Sequence, residues 1–208
     1  MLKLVASFLT STLVLAAISA QDTMTFAQSA PRMATRISFW GKDFTPLGQA
    51  CIQFAQPVWK AEYDQMVDKV KGKNLRLGSD FWTSLDANVD MTISGVAVAA
   101  GQWYLAMHCS EKGEWSLLLI DPAAIRAKKM DAFQSSSVEA KLSAPLTESR
   151  LESSADKLTI ELKEVKDTLG AGTLVVTWGT HKLSAPITLA VVKPVAKEQE
   201  AKPAEKKK

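Results

Sequence analysis

Residues 102–120 read QWYLAMHCSEKGEWSLLLI, and this stretch decides the fold class. Trp103, Leu105, Met107 and Cys109 recur at every second position, as do Trp115, Leu117 and Leu119. A period of two sends alternate side chains to opposite faces of an extended chain. The SEKG between the runs is turn-forming, so the two runs predict a β-hairpin with one apolar face.

The same rhythm extends both ways along the chain. Upstream, Ala50, Ile52 and Phe54 alternate with glutamines in LGQACIQFAQ, and Val89, Met91 and Ile93 alternate with polar residues in VDMTIS. Downstream, Leu158, Ile160 and Leu162 share a face, then Leu174, Val176 and Trp178, then Leu183, Ala185, Ile187 and Leu189. Half-buried antiparallel strands carry this pattern. Two segments break it. AEYDQMVDKV (Ala61–Val70) places Tyr63, Met66, Val67 and Val70 on one helical stripe, and Gly72 closes it. DPAAIRAKKMDAF begins with Asp121 as a natural N-cap and Pro122 in the first turn. Many short strands with two short helices predict a mainly β chain, an antiparallel β-sandwich.

The ends differ in kind from this body. The first twenty residues hold one early cation, Lys3, and an apolar run from Leu4 to Ile18, with small residues before Gln21. That layout predicts a signal peptide over residues 1–20 and export to the periplasm or beyond, with no membrane span after cleavage. Gln21–Thr35 reads as a linker, residues 36–192 as the folded domain, and residues 193–208 as a Lys/Glu/Pro/Ala tail with nothing to bury. The tail holds six Lys and three Glu, a surplus of +3 that equals the formal charge of the whole chain. Between Gln21 and Val192 there are 18 basic and 19 acidic residues. The basic pI therefore belongs to the tail, and the domain lacks the basic face that nucleic acid demands.

The stretch from Phe81 to Asp121 resembles a secreted bacterial family, the domain of unknown function 2911 family, on Trp82, Ala87, Asn88, Gly95, Ala100, Gly101, Tyr104, Leu105, Glu114 and Trp115. The upstream IQFAQP and the downstream LTIEL and LVVTWGTHKLSAPI extend the resemblance over roughly Leu47 to Val191. Where the family has Arg after its Trp and Gly before Ala-Asn, this chain has Thr83 and Asp86. The resemblance implies a β-rich exported domain and no established activity.

Spacing argues against chemistry at the conspicuous residues. His108 and Cys109 are neighbours on a strand and point to opposite faces, so the histidine cannot activate the thiol. Cys51 lies on a polar face and Cys109 on an apolar one, which predicts two separate thiols. His108 shares a face with Tyr104, with Glu114 across the turn, so a His/Tyr/Glu surface cluster is the one arrangement open to a hydrolase. His181 follows Gly179-Thr180, read as a turn, and is expected to be exposed. Asp86, Asn88 and Asp90 alternate as oxygen ligands would, but lack the Gly and terminal Glu of a calcium loop. No metal, cofactor or catalytic residue is assigned. Trp103, Trp115 and Trp178 fall in apolar phase and are assigned to the core. Trp40, Trp59 and Trp82 do not, and exposed indoles stack on sugar rings. The expectation is a non-catalytic exported module that binds carbohydrate or a cell-envelope component through Trp59, Trp82, Asp86, Asn88, Tyr104, His108 and Glu114.

One near-repeat remains: KLSAPLT at Lys141–Thr147 and KLSAPIT at Lys182–Thr188. Proline has no N–H for a ladder, so both copies are expected at a strand edge, a bulge or a strand end. The first is expected to run into a turn at Thr147-Glu148-Ser149.

Overall fold

The computed structural model describes residues 30–191, apart from the side chains of residues 64–68. The segments read as signal peptide and tail, and most of the linker, lie outside these residues.

Among the described residues ten strands pair antiparallel: β1 (Met33–Trp40), β2 (Pro46–Phe54), β3 (Lys73–Arg76), β4 (Thr83–Ala87), β5 (Met91–Ile93), β6 (Val96–Val98), β7 (Gly101–Cys109), β8 (Trp115–Ile120), β9 (Leu142–Glu164) and β10 (Ala171–Leu189). Their order is β1-β2-β4-β7-β8-β9-β10-β5-β6. Strand β3 continues the edge that β4 begins on β7: β4 pairs with Gly101–Leu105 and β3 with Ala106–Cys109. The fold is mostly β, as its alternation predicts. Pairing is continuous through the strands, because β9 joins β8 through Leu142–Leu146 and β10 through Thr147–Glu164.

Burial follows the sequence rhythm closely. Ile52, Leu105, Leu117, Ile160, Leu174 and Ile187, drawn from both halves of the sheet, are all buried in one cluster. The hairpin at residues 102–120 forms as read, with Cys109 opposite Trp115 and Leu105 opposite Leu119. Its other face is not free. Tyr104, Ala106, Leu118 and Ile120 form a second buried cluster with Trp82 and Ile125. This explains why β8 reads LLLI rather than alternating: both of its faces are covered.

The cover comes from the segment after β8. Asp121 caps helix α1 (Pro122–Ala127) by accepting from the Ala123 N–H at 2.8 Å. The helix ends early, and Lys129 turns the chain at φ 50°. A 3-10 helix (Ala132–Ser137) follows, opened by a capping box between Asp131 and Gln134. The helical segment between β2 and β3 is also a 3-10 helix, Ala61–Val70, and Gly72 leaves it at φ 72°.

Two boundaries differ from expectation. Strand β1 starts at Met33, inside the segment read as linker, because its ladder to β2 extends to Phe54. The supposed turn at Thr147-Glu148-Ser149 is paired strand, opposite Ser184, Leu183 and Lys182. Its polar residues reflect exposure, which composition alone cannot separate from a turn.

The near-repeat marks where the sheet divides. The β9–β10 ladder ends at Thr147 opposite Ser184. Two residues further in the same register, Pro145 would face Pro186, and neither has an N–H to give. From there β9 turns to β8 and β10 to β5. Ser94, on the β5–β6 turn, ties the fork: its Oγ donates to the Pro145 carbonyl and its N–H to the Pro186 carbonyl, both at 2.8 Å.

Candidate functional site

A cavity of about 360 Å³ opens between the Ala61–Val70 helix and the sheet. An apolar cavity of about 150 Å³ already holds benzene, so this one has room for a two-ring molecule. Leu75, Met107, Leu158, Val176 and Leu183 supply aliphatic lining, and Trp59, Tyr63, Trp115 and Trp178 supply the aromatic part.

Local sequence builds the aromatic wall. After β2, Val58 bridges Lys157 of β9, and the Trp59 N–H donates to the Asp156 carbonyl at 2.7 Å. The chain then enters the helix that carries Tyr63. The Trp59 ring stands edge-on to Trp178, with centroids 4.9 Å apart at 87°, and meets Tyr63 at 5.5 Å. These distances are those of favourable edge-to-face packing. Gly179 permits the arrangement. Its φ of 61° suits glycine, and a Cβ there would overlap the Trp59 indole. Gly78 plays the same part across the cavity at φ 88°, where a Cβ would lie 3.0 Å from Thr83 Oγ1 and from the Ala55 carbonyl. Thr83 is fully buried and donates to the Leu77 carbonyl at 2.6 Å.

The polar edge of the cavity is a closed network. His181 Nδ1 lies 2.9 Å from Glu148 Oε1, and Arg150 Nη1 lies 3.0 Å from His181 Nε2. Arginine only donates, so Nε2 accepts and Nδ1 carries the proton that Glu148 receives. Arg150 also donates to Thr180 Oγ1 at 3.1 Å, and Trp115 Nε1 donates to Glu148 Oε2 at 3.2 Å. A carboxylate on Nδ1 is how a histidine base is oriented. Here the Nε2 lone pair that would take a proton is occupied by Arg150. The set fixes the cavity edge rather than presenting a base.

Arg76 also lines the cavity, with its guanidinium drawn away from it. Leu75 faces Met107 inside the sheet, so Arg76 points the other way, and its guanidinium lies 4.0 Å over the Phe133 ring.

Of the seven residues singled out from sequence, the structure brings only Trp59 to this cavity. Trp82 is 1% exposed, stacked on Tyr104 with centroids 5.4 Å apart, and donates through Nε1 to the Met130 carbonyl. Both belong to the cluster beneath α1, and neither is a surface platform. Asp86 lies on β4 opposite Cys51, and Asn88 Oδ1 accepts from the Gln49 N–H at 2.8 Å. Asp90 is likewise engaged by the Ala100 N–H. Among the described residues, no three His, Cys, Asp or Glu side chains gather where they could hold a metal ion. His108 Nδ1 lies 2.8 Å from Asn74 Oδ1, while Glu114 closes the Ser110 turn, so the two are separately engaged. Cys51 and Cys109 are both free thiols on different strands. Burial is the largest influence on each and pushes both pKa values up.

Sequence reasoning placed Trp115 and Trp178 in the core and His181 in an exposed turn. The two indoles are only partly buried and line the cavity. The His181 side chain is 12% exposed because Gly179 is a bulge inside β10 rather than a turn. Glu148, Arg150 and Tyr63 gave no signal beyond strand and helix periodicity.

An antiparallel sheet with a ring-walled cavity against it defines the class: a mainly β domain. The chain belongs to a family described as Protein of unknown function (DUF2911), whose model matches residues 29–187. Among curated proteins and solved structures, nothing matches the chain.

Proposed function

We propose that this is an exported, non-catalytic binding domain whose cavity takes a small, largely apolar molecule. The cavity carries the reading: about 360 Å³, lined by aliphatic side chains and four aromatic rings, with His181 at one edge held between Glu148 and Arg150. Small-molecule sites have this character, mostly apolar with a few fixed polar groups. Export rests on the N-terminal sequence, with Lys3 and its apolar run. A sugar would stack on the same rings, but its several hydroxyls need a polar partner each, and a lining that is mostly aliphatic and aromatic supplies too few. An apolar ligand therefore fits better than carbohydrate. The hydrolase reading loses support because His108 and Glu114 are engaged apart and the Nε2 of His181 is covered by Arg150.

The test is titration with N-phenyl-1-naphthylamine, whose fluorescence rises in apolar surroundings. Wild-type protein is expected to saturate with one site. Leu75→Trp, which fills the cavity, is expected to lose that site while keeping its circular dichroism. Equal binding by both proteins, or none by wild type, contradicts the reading.

A further inference from the structure

The indoles beside the cavity differ in one respect. Trp115 Nε1 is spent on Glu148 and Trp178 Nε1 on the Pro57 carbonyl, 3.2 Å in each case. Away from the cavity, Trp82 and Trp103 also satisfy their N–H groups, on the Met130 and Ala99 carbonyls. Trp59 Nε1–H and Tyr63 Oη–H make no hydrogen bond to any described residue. Both side chains line the cavity and both are partly buried. An apolar cavity with two donors on one wall that no described residue engages is matched by a molecule carrying a hydrogen-bond acceptor.

Charge narrows that class. The ionic groups at the edge are Glu148 and Arg150, which neutralise each other at 3.4 Å and are both held by His181. Arg76, the other cation close by, is turned to the far face of the sheet. An ionised head group entering here would lose its hydration and find no free counter-charge, a cost that buried ions recover only when paired. A neutral acceptor loses far less and gains the two donors.

We infer that the cavity selects neutral ring compounds bearing a carbonyl, ester or ether oxygen, seated on the Trp59–Trp178 wall with that oxygen against Tyr63 Oη and Trp59 Nε1. This rests on the binding reading above and adds its specificity. The rings set the apolar body, the closed edge network rejects ions, and the two donors fix orientation.

Three probes with one ring system separate these parts: naphthalene, methyl 2-naphthoate and 2-naphthoate, titrated by calorimetry at neutral pH. The ester is expected to bind about tenfold or more tighter than the ionised acid, since a buried unpaired charge is the larger penalty. Tyr63→Phe and Trp59→Phe, which keep a ring at each position, are each expected to weaken the ester about fivefold more than they weaken naphthalene, the scale of one hydrogen bond. If the acid binds as tightly as the ester, or neither variant distinguishes ester from naphthalene, the specificity inference is overturned and the binding reading survives. If none of the three binds, both fall.

Discussion

His181 sits between two opposite charges, accepting from Arg150 at Nε2 and donating to Glu148 at Nδ1, and so locks β9 to β10 beside the cavity. The lock explains how β9 stays paired although its register slips on both sides of Ala155. Glu148→Gln leaves a weaker acceptor for both His181 and Trp115. The pair is partly exposed, so the expected loss is modest, about 1 kcal/mol in urea unfolding. An unchanged midpoint would remove the lock from the account.

Gly179→Ala is expected to be much more costly. It places a side chain at φ 61° and pushes it into the Trp59 ring. Strain and overpacking together predict a loss of about 2–4 kcal/mol. Red-shifted tryptophan emission should accompany it as Trp59 is displaced into water. A stable variant with unshifted emission would mean that Trp59 does not rest on Gly179.

The buried stack under α1 is structural. Trp82→Ala is expected to cost about 3–5 kcal/mol, the range for removing a buried aromatic. Under conditions where the variant remains folded, its affinity for N-phenyl-1-naphthylamine should match wild type. A variant that is stable but loses the probe would move the site to the other face of the sheet.

The thiols give a pH-dependent expectation. Burial raises both Cys51 and Cys109 above the ordinary 9.0, so the folded state holds their protons longer than the unfolded state does. This contribution to stability is intact below pH 9.0 and lost as pH rises through the higher folded values. Iodoacetamide should label both cysteines slowly at neutral pH in the folded protein and rapidly in denaturant, because the thiolate is the nucleophile. Rapid labelling of Cys109 in the folded protein would contradict its burial.

Strand content was legible wherever one face alone is buried: Ala50, Ile52 and Phe54, and again Leu183, Ala185, Ile187 and Leu189, alternate in sequence and are buried in the structure. It failed where tertiary pairing overrode local chemistry. Thr147-Glu148-Ser149 looks like a turn and is a strand, and Gly179-Thr180 looks like a turn and is a bulge. The site was mostly illegible for the same reason. Its wall joins Trp59, Tyr63 and Trp178, and its edge joins Glu148 to His181. Trp178 is far along the chain from Trp59 and Tyr63, as His181 is from Glu148, and their types match ordinary core and surface residues. The two prolines were readable as a ladder problem, but that they split the sheet follows only from their register.

The most direct test is a tryptophan-indole NMR titration of the wild-type protein with naphthalene. The account predicts that the indole N–H signals of Trp59, Trp178 and Trp115 shift and saturate together, while those of Trp82 and Trp40 stay in place. Unmoved cavity indoles, or shifts confined to Trp82 or Trp40, would contradict it.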